Sequence, residues 1–129
     1  MAITYVDLEG AGSATAPYDT WAKSAATMQV GLTAAGAGGT CYVRRTNAET
    51  PGVDTATGSR TLTSPGTIGN PAKLVGVEDG TTAEPPTSSH LATTYPEFTA
   101  SSSNLVIAGF LESHRIDFTA TGQVQHGAN

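Results

Sequence analysis

The chain has 129 residues, the size of one ordinary domain, and Gly, Ala, Ser and Thr together make up about half of it. Charged residues are 13% and aromatic residues 6%, with 6 basic against 11 acidic side chains and a net charge of −5. This excludes a coiled coil rich in Glu, Lys and Leu, a highly charged disordered tail and a basic nucleic-acid-binding arm.

Taken in chain order, Ile3 to Leu8 read as a first strand, broken by Gly10 and Gly12. Asp19 or Thr20 can cap a helix, and Trp21, Ala25, Met28 and Leu32 recur at steps of four, three and four. That spacing predicts one helix of about four turns over 20–35, stopped at Gly36. Thr40 to Arg44 is a strand. Thr46 to Gly58 reads as a polar loop. Arg60 to Thr63, Ala72 to Glu78, Glu97 to Ala100 and Asn104 to Phe110 are further strands, and Thr81 to Pro96 is a long loop with three prolines. His114 to Ala120 alternates, with Ile116, Phe118 and Ala120 on one side. Residues 121–129 read as a loose polar tail.

Cys41 has no partner for an internal disulfide and reads as a small buried hydrophobe. Without a basic or apolar leader, the start is not a signal peptide, and no apolar run is long enough to span a membrane. Synthesis in a reducing cytoplasm is therefore expected. The acids are dispersed, and no pair is placed to converge on one substrate. Asp7 and Glu9 could offer two carboxylates to a cation, too few for Ca²⁺. His90, His114 and His126 lack zinc spacing, and Gly36 to Gly39 lacks the Lys-Ser/Thr of a phosphate loop. No metal or other cofactor is expected. Arg44 and Arg45 read as a salt-bridging or partner-facing pair; on one strand they point to opposite faces and form no single basic patch.

Strands recur once or twice in every 20 to 30 residues or so, with little hairpin chemistry, which favours a solenoid over the alternative, a β-sandwich. Five stretches resemble a right-handed parallel β-helix of the pectin-lyase-like type: Tyr5 to Ser13, Trp21 to Leu32, Ala35 to Val43, Ser64 to Gly76 and Asn104 to Phe110. Gly39 stands where that family often has Asp. The resemblance implies one domain over 1–129, with an N-terminal strand and capping helix in 1–39 and β-coils in 40–120. Trp21, Met28 and Leu32 would form a lid on the solenoid interior.

Short β-helices of this composition resemble phage virion components: decoration proteins, head fibres and tail spikes. The implied function is that of a structural virion protein, not an enzyme. It would form a homotrimer and bind a major capsid protein or another virion protein. Ile116, Phe118 and Ala120 would sit at the subunit or lattice contact. Neither nucleic acid nor membrane is an expected partner. The alternative is a carbohydrate-binding module or an inactive relative of polysaccharide lyases, with a glycan as ligand.

Overall fold

The computed structural model describes residues 2–8, 12–44, 53–56, 59–100 and 104–126, with 53–56 and 126 described by backbone alone. Ten strands and one α-helix follow one another as β1 (Ile3–Asp7), α1 (Met28–Ala35), β2 (Thr40–Arg44), β3 (Val53–Ala56), β4 (Arg60–Thr63), β5 (Ala72–Gly76), β6 (Glu97–Ala100), β7 (Leu105–Ala108), β8 (Leu111–His114), β9 (Asp117–Ala120) and β10 (Val124–His126). The chain is mainly β, and among the described residues every paired strand lies parallel to its neighbour.

From β2 onward, successive strands visit three sheets in turn, three times over. The sheets are β1-β2-β5-β8, β3-β6-β9 and β4-β7-β10. Parallel neighbours cannot be joined by a tight hairpin, which accounts for the sparse hairpin chemistry. Register then stacks like on like. Thr4, Cys41 and Leu74 form one column, and Phe98 lies beside Phe118 and Ala100 beside Ala120.

One buried cluster draws on all three sheets and on α1. Val6, Cys41, Val43, Ala72 and Leu74 come from the first sheet, Phe98 and Ala100 from the second, Leu62 and Leu105 from the third, and Met28, Leu32 and Ala35 from the helix. Glycine is required where the backbone passes close. A Cβ on Gly31 would stand 2.3 Å from Val6 Cγ2, so only glycine lets α1 lie on β1. One on Gly76 would stand 2.0 Å from the Arg115 carbonyl oxygen.

The predicted 20–35 helix is shorter. Trp21–Lys23 is a single 3-10 turn, and the α-helix starts at Met28. Its N-cap is Thr27, whose hydroxyl accepts the Val30 N–H, rather than Asp19 or Thr20. The break has a tertiary cause. Ala25 docks on the outer edge of β1, donating its N–H to Tyr5 and accepting from Asp7 at 2.9 Å each. Covering an open strand edge outweighs helical continuity.

Three further differences concern strands. Val53–Ala56 is β3, inside the expected 46–58 loop. Leu111–His114 is β8, between the expected 104–110 and 114–120 strands and touching the latter only at His114, and the expected 114–120 strand reduces to β9 because Arg115 turns the chain at φ 62°. Val124–His126 is β10, where a loose tail was expected.

Candidate functional site

The two ends of the stacked sheets differ. At the N-terminal end the outer edge of β1 is occupied. Tyr5 donates its N–H to the Tyr18 carbonyl at 2.9 Å, and Ala25 bridges Val6. Helix α1 lies across this end with Met28 and Leu32 fully buried, and the Thr4 hydroxyl donates to the Gly31 carbonyl at 2.7 Å. Gln29 fastens the helix to β4 by two bonds to the Thr63 backbone, at 2.8 and 2.9 Å.

At the other end β8, β9 and β10 are each the last strand of their sheet. Phe118 and Ala120 alternate with exposed Asp117 and Thr119, and both lean on the core without being covered by it. Phe118 meets Phe98 edge-on at 6.3 Å between centroids. Ile116 and Leu111 are half-buried beside them, and Val124 is 42% exposed. Ile116, Phe118 and Ala120 therefore come together in the last layer. Ile116 lies in the turn before β9 rather than in a strand.

Met28 and Leu32 belong to the core cluster, but Trp21 does not. It is buried in a separate cluster with Tyr5 and Val77, against half-buried Tyr42 and Val75. The register explains the separation. Tyr5, Tyr42 and Val75 share one column of the first sheet, and their neighbours Val6, Cys41 and Leu74 belong to the core. Trp21 thus covers the outer face of the sheet whose inner face meets α1.

That outer face is an interlocked assembly. The Tyr5 and Trp21 rings lie 4.7 Å apart, and the Arg44 guanidinium stands 4.2 Å above the Trp21 ring. Arg44 Nε donates to Asp7 Oδ2 at 3.0 Å, with Asp7 fully buried, and Arg44 also donates to the Thr81 carbonyl. Trp21 Nε1 donates to the Ala83 carbonyl at 3.0 Å and its backbone N–H to Glu84 Oε1 at 2.6 Å. The 81–84 segment is thereby strapped to the N-terminal segment. Burial, and then the nearby Glu84 charge, raise the Tyr5 phenol above its ordinary pKa.

Arg44 was expected, with Arg45, to be salt-bridging or partner-facing, and its ion pair is with Asp7; Arg45 lies outside the described residues. Sequence reasoning missed Arg60 and Arg115, the latter donating to the Ala92 carbonyl at 3.1 Å. Arg60 lies 3.8 Å from the Phe98 ring centroid and donates to the Thr99 carbonyl at 3.0 Å. No sequence spacing links Arg60 to either partner.

Groups with reactive chemistry have structural partners. Cys41 is fully buried, and burial pushes its thiol up to about 12. The His90 ring closes a capping box with Thr87. Glu97 and Asp117 are register neighbours on β6 and β9. Among the described residues, no three His, Cys, Asp or Glu side chains are grouped to hold a metal ion. Glu9 lies outside the described residues. No described helix is long and apolar enough to cross a membrane. Compared with known proteins, the chain matches no family model, no curated protein and no solved structure.

Proposed function

We propose that the three sheets are the faces of one short right-handed parallel β-helix, capped by α1, and that the chain is a structural virion protein of a bacteriophage, a decoration or fibre-like component. It works as a homo-oligomer, with three copies as the number the resemblance implies, bound to a major capsid protein or another virion protein. Catalysis is no part of this reading.

One observation carries the assembly role: the side chains that lean inward at the last strands, Leu111, Ile116, Phe118 and Ala120, are apolar and incompletely covered. Natural edge strands are protected by Pro, Lys or inward-pointing charge. β9 has none of these, and its inward-leaning residues are Phe118 and Ala120. A small stack also has little interior to offset chain entropy, so association adds needed burial. A sugar-binding reading would call for exposed aromatic faces, whereas Trp21 and Tyr5 are 5% and 3% exposed and spent on each other.

Sedimentation of the chain and of Phe118→Asp and Val124→Asp tests the reading. Val124 is already exposed, so its substitution spares the fold. Assembly weakened by both variants is the expected result. A stable micromolar monomer, indifferent to both, overturns it.

A further inference from the structure

The last strands continue columns of side chains that are buried one strand earlier. Leu111 stands beside Ala72, Phe118 beside Phe98, Ala120 beside Ala100 and Val124 beside Leu105. Ala72, Phe98, Ala100 and Leu105 are 0 or 1% exposed, whereas Leu111, Phe118 and Ala120 are half-buried and Val124 is 42% exposed. Among the described residues, β8, β9 and β10 each have a neighbour on one side alone. Each therefore presents a strand edge of backbone N–H and C=O groups. What covers this end has to supply three strand edges and an apolar interior together.

The opposite end of the same molecule cannot supply them. The outer edge of β1 is taken by Tyr18 and Ala25, and α1 packs against the core there. Copies therefore do not stack head to tail. Contact through this end is between two open ends, related by a two-fold axis.

We infer that the open end is covered by the open end of a second copy, with β9 of each lying antiparallel to the other about a two-fold axis at Thr119. The inference rests on the proposed β-helix and its self-association, and it sets the number of copies at two where the resemblance implies three.

Helical rise selects the strand on the axis. The three strands of one β-helical turn climb together by one strand spacing, about 4.8 Å, so β8, β9 and β10 are stepped by a third of it each. A two-fold across the end reverses strand direction, sets one sheet against its own copy and exchanges the other two. With β9 on the axis, β8 meets β10 of the second copy, the steps cancel, and all three pairs stand one spacing apart. With β8 on the axis the other two strands collide, and with β10 on it they stand a full spacing too far.

Side chains select the register. Directly opposed residues of an antiparallel pair share a face, so a strand that pairs with itself turns about one residue. At Thr119, Phe118 lies opposite the second copy's Ala120, a large side chain against a small one. Thr119 lies opposite its own copy, a favourable cross-strand pair, and Asp117 faces Thr121. Turning about Asp117 instead would oppose two carboxylates. β10 contains no acid, so Glu112 of β8 meets none across the contact.

Sedimentation equilibrium and cross-linking with a mild added oxidant test this. The parent should have the mass of two copies. Val124→Asp should weaken the dimer by about tenfold or more, since its carboxylate would be desolvated. Thr119→Cys should form a disulfide between copies, because opposed Cα atoms of an antiparallel pair stand about 4.5 to 5.5 Å apart, within reach of the bond. Thr61→Cys, exposed on the strand of its sheet farthest from the open end, should not, and neither should the parent, whose Cys41 is buried. An assembly of three copies that Val124→Asp weakens overturns this inference and leaves the proposed function standing. So does a dimer that Thr119→Cys fails to link. A monomer under all conditions overturns both.

Discussion

Trp21 shows how a residue can be read correctly as buried and wrongly as to where. Its indole packs tilted against Tyr5, donates Nε1–H to the Ala83 carbonyl and is covered by Arg44, while its backbone N–H is held by Glu84. Trp21→Ala should cost roughly 3 to 5 kcal/mol, the range for a large core aromatic. Thermal or urea unfolding measures it, and a melting temperature within a degree or two of the parent would refute the packing. Arg44→Ala should be of similar severity, about 3 kcal/mol or more, because it removes the ion pair to fully buried Asp7 together with the cover over the Trp21 ring. Cys41 makes a pH prediction. Its thiol is raised from 9.0 to about 12 in the fold, so between those values the unfolded chain releases a proton that the folded chain keeps. Stability is therefore fully present below pH 9 and falls as pH rises toward 12, with a slope of up to about 1.4 kcal/mol per pH unit. The raised Tyr5 phenol acts in the same direction. Cys41→Ala should flatten the decline in a pH series of urea melts.

Elements here are decided by what lies at their edges. The stripe Trp21, Ala25, Met28, Leu32 has good helical spacing, yet only Met28 and Leu32 are on one helix. The open edge of β1 takes Ala25, and the helix restarts at Thr27. Leu32→Ala should then loosen the capped end at a cost of about 2 to 5 kcal/mol. Amide exchange should accelerate first in β1 and β2, against which α1 packs; uniform acceleration in all strands would contradict the cap. The start of β9 is likewise invisible in an apolar alternation, since Ile116 keeps period two with Phe118 and Ala120 although it lies in the turn after Arg115, outside the strand.

At the scale of the whole molecule, three parallel sheets share one interior, closed by α1 and unfinished at β8, β9 and β10. A circular dichroism spectrum dominated by β structure is expected, with only a minor contribution from the eight-residue α1.

The sequence by itself determined that the chain is mainly β, where most strands begin, that Met28 and Leu32 are buried together, and that Ile116, Phe118 and Ala120 share one side. These follow from local rules: period-two alternation, breaker glycines and prolines, and a short 3.6-residue period. Only the tertiary structure decided that Trp21 lies on the outer face of the sheet, that Asp7 and Arg44 are a buried pair, and that β3, β8 and β10 are strands. The reason is physical. Residues 53–56 and 124–126 are weak strand formers by themselves, and a parallel neighbour supplies the hydrogen bonds that fix them. Asp7 and Arg44 stand side by side only because β1 and β2 pair in that register, and the pairing is set by the apolar column of Val6 and Val43 between the strands and the core.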